Sequence, residues 1–138
     1  MIYLADKDLP SNVKGIIADC GFTSAKDILS SVFRKVTHLP ALPTMLVTDI
    51  VARLVAGFSI FECDTRRVLK KSKLPIIMIH GMDDNFVPCK MTEEAYAECT
   101  GPKQLLLVDG AEHGVSFLVE RKRYTQMVLS FLDNLIEK

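Results

Sequence analysis

Apolar positions along this chain switch between two patterns, short β-branched runs and longer stretches at helical spacing. Residues 13–18 read Val-Lys-Gly-Ile-Ile-Ala between Pro10-Ser11-Asn12 and Cys20-Gly21, which predicts a short buried strand. Ser24 with Asp27 three residues on has capping-box spacing, and Ile28, Leu29, Val32, Phe33 and Val36 then recur at helical period, predicting a helix over 25–35. Residues 1–8 resemble the tail of a helix.

The segment His38-Leu39-Pro40-Ala41-Leu42-Pro43 breaks that period. Thr44 is placed to cap a second helix carrying Leu46, Ile50, Val51, Leu54 and Val55, which Gly57 stops. A further short helix is expected over 64–71. Strand-helix alternation then resumes, with strands at 76–80 and 104–108, a helix over 91–99 ended by Gly101-Pro102, and a last helix over roughly 117–136. That helix sets Tyr124, Met127, Val128, Phe131, Leu132 and Leu135 on one apolar stripe. Short connections between alternating strands and helices imply a parallel sheet of about three strands covered by helices. The chain is expected to form one domain over 1–138, with residues 23–72 a helical, cap-like insertion.

Composition narrows the function classes. Lys plus Arg and Asp plus Glu number 17 each in 138 residues, so no net field recruits nucleic acid or an anionic membrane surface. Basic runs such as Arg121-Lys122-Arg123 fall where helices have solvated faces. Cys20, Cys63, Cys89 and Cys99 show neither a C-x-x-C pair nor histidines at ligand spacing, so no metal site is expected. Free thiols, no signal peptide and no run of about 20 apolar residues lead to the expectation of a soluble, cytoplasmic protein.

Chemistry concentrates beyond the carboxyl ends of the three strands, where open parallel sheets gather functional groups. Asp19 follows the first strand, Asp84 the second and His113 the third. Asp84 is placed to accept the Nδ1 proton of His113, fixing its tautomer and stabilising the imidazolium that forms when the ring takes a proton from a nucleophile. Each residue alone also fits a plainer role. Asp83-Asp84-Asn85 is turn-rich, and His113 is placed to cap the last helix. Acid then base after successive strands is the order of a serine hydrolase triad whose nucleophile comes first.

The two motifs carry a resemblance. The stretch from Pro75 through His80-Gly81-Met82-Asp83-Asp84 to Val87-Pro88, and the stretch Asp109-Gly110-Ala111-Glu112-His113-Gly114, resemble the acid-bearing turn and base-bearing loop of the α/β-hydrolase superfamily. The groups most resembled are serine aminopeptidases, acylglycerol lipases and dienelactone-hydrolase-like proteins. The resemblance covers residues 13–135. It implies the C-terminal part of an α/β-hydrolase fold, with Asp84 as triad acid, His113 as base, and His80 as a structural histidine behind them.

No G-x-S-x-G elbow occurs in the chain. The resemblance therefore implies that the nucleophile, the oxyanion-hole loop and further strands precede Met1, and that the chain is a fragment or one half of a split enzyme, inactive alone. Cys20 is an unfavoured substitute nucleophile, because a partly buried cysteine is usually inert. Asp19 is a weak alternative acid, and Ser116 is expected to order the base loop or cap the last helix. The expected function is hydrolysis of ester, thioester or peptide bonds through an acyl-enzyme, on a small hydrophobic acyl substrate and without a cofactor. A degenerate hydrolase-like domain acting in binding or assembly is the alternative. A nucleotide-binding fold is disfavoured, since neither G-x-G-x-x-G nor G-x-x-x-x-G-K occurs. If the first strand normally pairs on both sides, its exposed edge should drive self-association or docking with a complementing N-terminal half.

Overall fold

The computed structural model describes residues 2–5 and 8–136, with only the backbone of residue 136. The elements are β1 (Ile16–Asp19), α1 (Ala25–Thr37), α2 (Leu42–Ala56), α3 (Thr65–Leu69), β2 (Ile76–Gly81), α4 (Cys89–Glu98), β3 (Lys103–Val108), α5 (Ser116–Val119) and α6 (Arg121–Ile136). They build a three-stranded parallel sheet in the order β1-β2-β3, pairing Ile16 with Ile76 and Gly81 with Val108. All six residues of β2 are buried, as the apolar run requires of a central strand covered on both faces.

Alternation along β2 divides the core in two. Ile76 and Met78 face a cluster with Ile16, Leu69, Ala95 and Cys99, under α3 and α4. Ile77 and Ile79 face the other side, with Leu106, Val108 and Phe131, against α6. Each fully buried aliphatic side chain contributes about 2 kcal/mol, so β2 alone accounts for a large share of the drive to fold.

Several boundaries differ from those the pattern suggests. Strand β1 begins at Ile16, not residue 13, because the Val13 amide is taken by the Pro10 carbonyl in a turn. Residues 2–4 form a single 3-10 turn; Met1, Asp6 and Lys7 of the expected helix tail lie outside the described residues. The capping box holds: Ser24 Oγ accepts from the Asp27 amide at 2.9 Å. Thr44, in contrast, caps nothing. Helix α2 starts earlier, with Ala41 as its unassisted N-cap and proline in the first turn, where a missing N–H costs no bond. The last helix is broken at Glu120 into α5 and α6, and Leu132 is exposed while Phe131 carries the contact with the sheet.

Helix α2 is turned opposite to its polarity. Its buried residues are Met45 and Asp49, whereas Leu46, Ile50, Val51, Leu54 and Val55 are exposed. Asp49 explains the orientation: it accepts from Ser59 Oγ at 2.6 Å, the Ile60 amide at 2.9 Å and Arg53 Nε at 2.7 Å, tying the helix to the segment that leaves it. The hydrogen bonds from Ser59 and Arg53 hold its carboxyl below the ordinary carboxylate range. The helical excursion between β1 and β2 closes on itself, since the Thr65 amide donates to Thr23 O at 2.8 Å and the Ala25 amide to Cys63 O at 3.1 Å.

One close approach fixes the edge where the strands end. A Cβ on Gly81 would lie 2.2 Å from the Ala111 carbonyl oxygen and 2.8 Å from that of Glu112. Only a residue without a side chain lets the loop after β3 cross directly over the end of β2. The Met82 and Asp83 amides then donate to Val108 O at 2.8 Å and Ala111 O at 3.0 Å, fastening the two loops together. Gly81→Ala should destabilise the fold by about 3 kcal/mol or more in urea unfolding, beyond the range of an ordinary surface change; a loss under about 0.5 kcal/mol would show that the crossing is not tight.

Candidate active site

Asp84 occupies the turn after β2. The turn is built by the residue itself: Asp84 Oδ1 accepts the Phe86 and Val87 amides, each at 2.8 Å. Oδ2 points the other way and meets His113 Nδ1 at 2.7 Å and His80 Nε2 at 3.1 Å. A carboxylate offers about four acceptor positions, and all four face an N–H or a ring nitrogen here. The side chain is fully buried, yet burial, which alone would raise its pKa, is outweighed by the hydrogen bonds from His113 and the two amides. Asp84 is therefore held below the ordinary carboxylate range.

His113 lies in the loop between β3 and α5, flanked by Gly110 and Gly114 in left-handed conformations, φ 69° and 72°. Its side chain is half exposed, and the Phe86 ring meets the imidazole edge-on with centroids 5.2 Å apart. Engaging Nδ1 with the carboxylate leaves Nε2 for a second partner. Asp83 is exposed and its backbone, not its carboxylate, joins the loop crossing.

The remaining candidates divide. Cys20 ends β1 at φ 54°, and its sulfur accepts the Gly114 amide at 3.2 Å while its S–H donates to Asp19 Oδ1 at 3.3 Å. Burial pushes the thiol up to about 11, opposed by the Gly114 N–H and assisted by the Asp19 and Asp84 charges, so it stays protonated near neutrality. Asp19 is engaged by Tyr124, whose hydroxyl donates at 3.1 Å; burial and the Asp19 charge push that phenol up to about 12. Ser116 is not a cap, because Val115 holds that position in α5; its Oγ is buried without a hydrogen-bond partner among the described residues. His80 is wholly buried behind Asp84.

Cys20, Asp84 and His113 present metal-ligand atom types within 4.8 Å of one another. Asp84 meets four donors there, and Cys20 is engaged by the Gly114 amide and by Asp19. Two contributions had no sequence signal. Thr92 of α4 bonds both His80 and the Gly21 carbonyl, and Lys35 of α1 reaches the Asn85 carbonyl, tying the helical excursion to the acid turn. Beside Cys20, the open edge of β1 borders a cavity of about 490 Å³ lined by Ile2, Tyr3, Ile17 and Phe22.

No family model matches the chain. An uncharacterized protein of Bacillus subtilis, YqkD, is 33% identical over 119 residues, which cover 86% of this chain and 39% of that protein. The non-heme chloroperoxidase CPO-A1 of Kitasatospora aureofaciens is 29% identical over 66 residues, 47% of this chain and 24% of the relative. Among solved structures, an esterase of Pyrococcus furiosus superposes with a TM-score of 0.65 at 17% identity, over 97% of this chain and 48% of its own. An acylaminoacyl peptidase of Pyrococcus horikoshii gives 0.63 at 16%, over 97% and 22%. A metagenomic α/β hydrolase from lagoon sediment gives 0.59 at 20%, over 96% and 56%. The fold is that of the α/β hydrolases, and the chain spans less than two thirds of the length of each of these relatives.

Among the described residues no helix is long and apolar enough to cross a membrane. The depressed Asp84 carboxyl gives the site a pH signature. Its stabilisation is complete above the ordinary value of 3.8 and is lost as pH falls through the lower folded-state value. Urea midpoints should therefore fall more steeply for the unaltered chain than for Asp84→Asn as pH is lowered from near 3.8 into the range below it; parallel curves would mean that the carboxylate has no such role.

Proposed function

We propose that this chain supplies the acid, Asp84, and the base, His113, of a serine hydrolase that cleaves ester, thioester or peptide bonds through an acyl-enzyme. The observation that carries this reading is the 2.7 Å hydrogen bond between His113 Nδ1 and a carboxylate whose every other acceptor position is filled. Asp84 orients the ring and fixes the Nδ1–H tautomer. Nε2 then takes the proton of the attacking hydroxyl, and the imidazolium, stabilised by Asp84, returns it to the leaving group. A second base-catalysed attack, by water, releases the acyl group.

The nucleophile is a serine from polypeptide outside these 138 residues, so the chain alone does not complete the reaction. Cys20 is not that nucleophile in this reading, because its S–H is directed to Asp19 and its sulfur is engaged by the Gly114 amide rather than by His113. The solved neighbours that are esterases and a peptidase support acyl transfer as the chemistry. The apolar cavity beside β1 supports a hydrophobic acyl group. The edge of β1 not paired with β2 is the place for a complementing half, or a second copy, to extend the sheet. Residues 23–72 serve as the cap, held to the acid turn by Lys35.

A reactive fluorophosphonate tests the reading by intact mass. The 138-residue chain should stay unmodified. A chimera in which it replaces the matched stretch of the Bacillus relative should gain one adduct on a serine of the added sequence, formed about a thousandfold more slowly after His113→Ala. An adduct on this chain alone, or equal labelling of the chimera with and without His113, would overturn the proposal.

A further inference from the structure

Behind the Asp84–His113 pair the structure holds a second imidazole whose surroundings dictate where its proton sits. His80 is buried at the end of β2, on the face covered by α4. Its Nε2 lies 2.9 Å from the Val87 carbonyl and 3.1 Å from Asp84 Oδ2. Both neighbours can only accept. A lone pair on Nε2 would face two oxygens on a fully buried ring, so Nε2 carries a hydrogen, shared in a three-centre bond.

Nδ1 faces the Thr92 hydroxyl at 2.6 Å, and that same hydroxyl lies 2.9 Å from Gly21 O. Thr92 can donate its single hydrogen to the ring or to the carbonyl. If it donates to Nδ1 the ring is neutral and protonated on Nε2; if it donates to Gly21 O it must accept from Nδ1, and the ring then carries a hydrogen on both nitrogens; in neither case does the neutral Nδ1–H form find a partner for Nε2.

We propose that His80 is a positioning residue for the Asp84–His113 pair, donating from Nε2 to Asp84 Oδ2 and anchored through Thr92 to the loop after β1. This inference rests on reading Asp84 and His113 as acid and base. It adds what holds the acid. Oδ1 is fixed by its own turn, and apart from His113 itself the one group among the described contacts that meets Oδ2 is His80. A chain of bonds thus runs from Gly21 O, in the loop after β1, through Thr92, His80 and Asp84 to His113, in addition to the bond between Cys20 Sγ and the Gly114 amide.

Long-range 1H–15N correlation spectra of the whole chain read the test, because only His38, His80 and His113 contribute ring signals and His38→Gln removes the first. His80 is expected to show a protonated-type Nε2; an unprotonated Nε2 there overturns the proposal outright. Thr92→Val should shift His80 Nδ1 and release His113 from its single Nδ1–H form into a tautomer mixture, a change of about tenfold in the ratio, with Thr92→Ser restoring it. If Thr92→Val lowers the melting temperature but leaves the His113 tautomer untouched, Thr92 and His80 are merely structural and the proposal falls. Should the valine variant not fold, the His80 Nε2 signal of the unaltered chain still decides. Failure of the underlying reading looks different: His113 would lack the Nδ1–H form in the unaltered chain, whatever His80 shows.

Discussion

Everything at the candidate site depends on satisfying one buried carboxylate. An ionised Asp84 inside the protein would cost several kcal/mol if left unpaired, and four N–H groups converge to meet it. Two come from its own turn, one from the strand before it and one from the loop after the next strand. The cost of burial is thereby turned into geometry, since removing any donor frees the carboxylate to rotate and the imidazole of His113 to follow.

That convergence is possible because of how the sheet ends. β2 is central, buried on both faces, and terminates in a glycine over which the next loop passes at van der Waals contact. The crossing brings a residue 29 positions away in sequence to 2.7 Å from the acid. The same sheet edge holds Cys20 and Asp19, but their bonds run to Gly114 and Tyr124, which makes them a frame around the base loop rather than members of the acid–base pair. In the hydrolase reading, the loops after all three strands thus serve one imidazole, each in a different way.

The strands were legible because β-branched runs bounded by turn residues have few other solutions, and the contact between Asp84 and His113 because both follow successive strands at one edge of the sheet. What stayed illegible depended on tertiary contacts. The polarity of α2 suggests its leucines face inward, but the three hydrogen bonds to Asp49 turn it the other way. The Val13 to Gly15 stretch has strand-like residues, yet a turn hydrogen bond at Val13 takes the backbone group a ladder would need. Thr92 sits in α4 as an unremarkable helical threonine, and nothing local marks that its hydroxyl faces a histidine twelve residues earlier. His80-Gly81 was visible as a motif, while the reason for the glycine, a carbonyl where a Cβ would be, appears only in three dimensions.

In the hydrolase reading Asp84 and His113 are energetically coupled and not merely adjacent. A double-mutant cycle of Asp84→Ala, His113→Ala and the double variant, followed by urea unfolding, measures that coupling free of each residue's other contacts. A value of about 1 kcal/mol or more is expected for a charge-assisted hydrogen bond with one half-exposed partner. Additive losses, agreeing within about 0.3 kcal/mol, would contradict the claim.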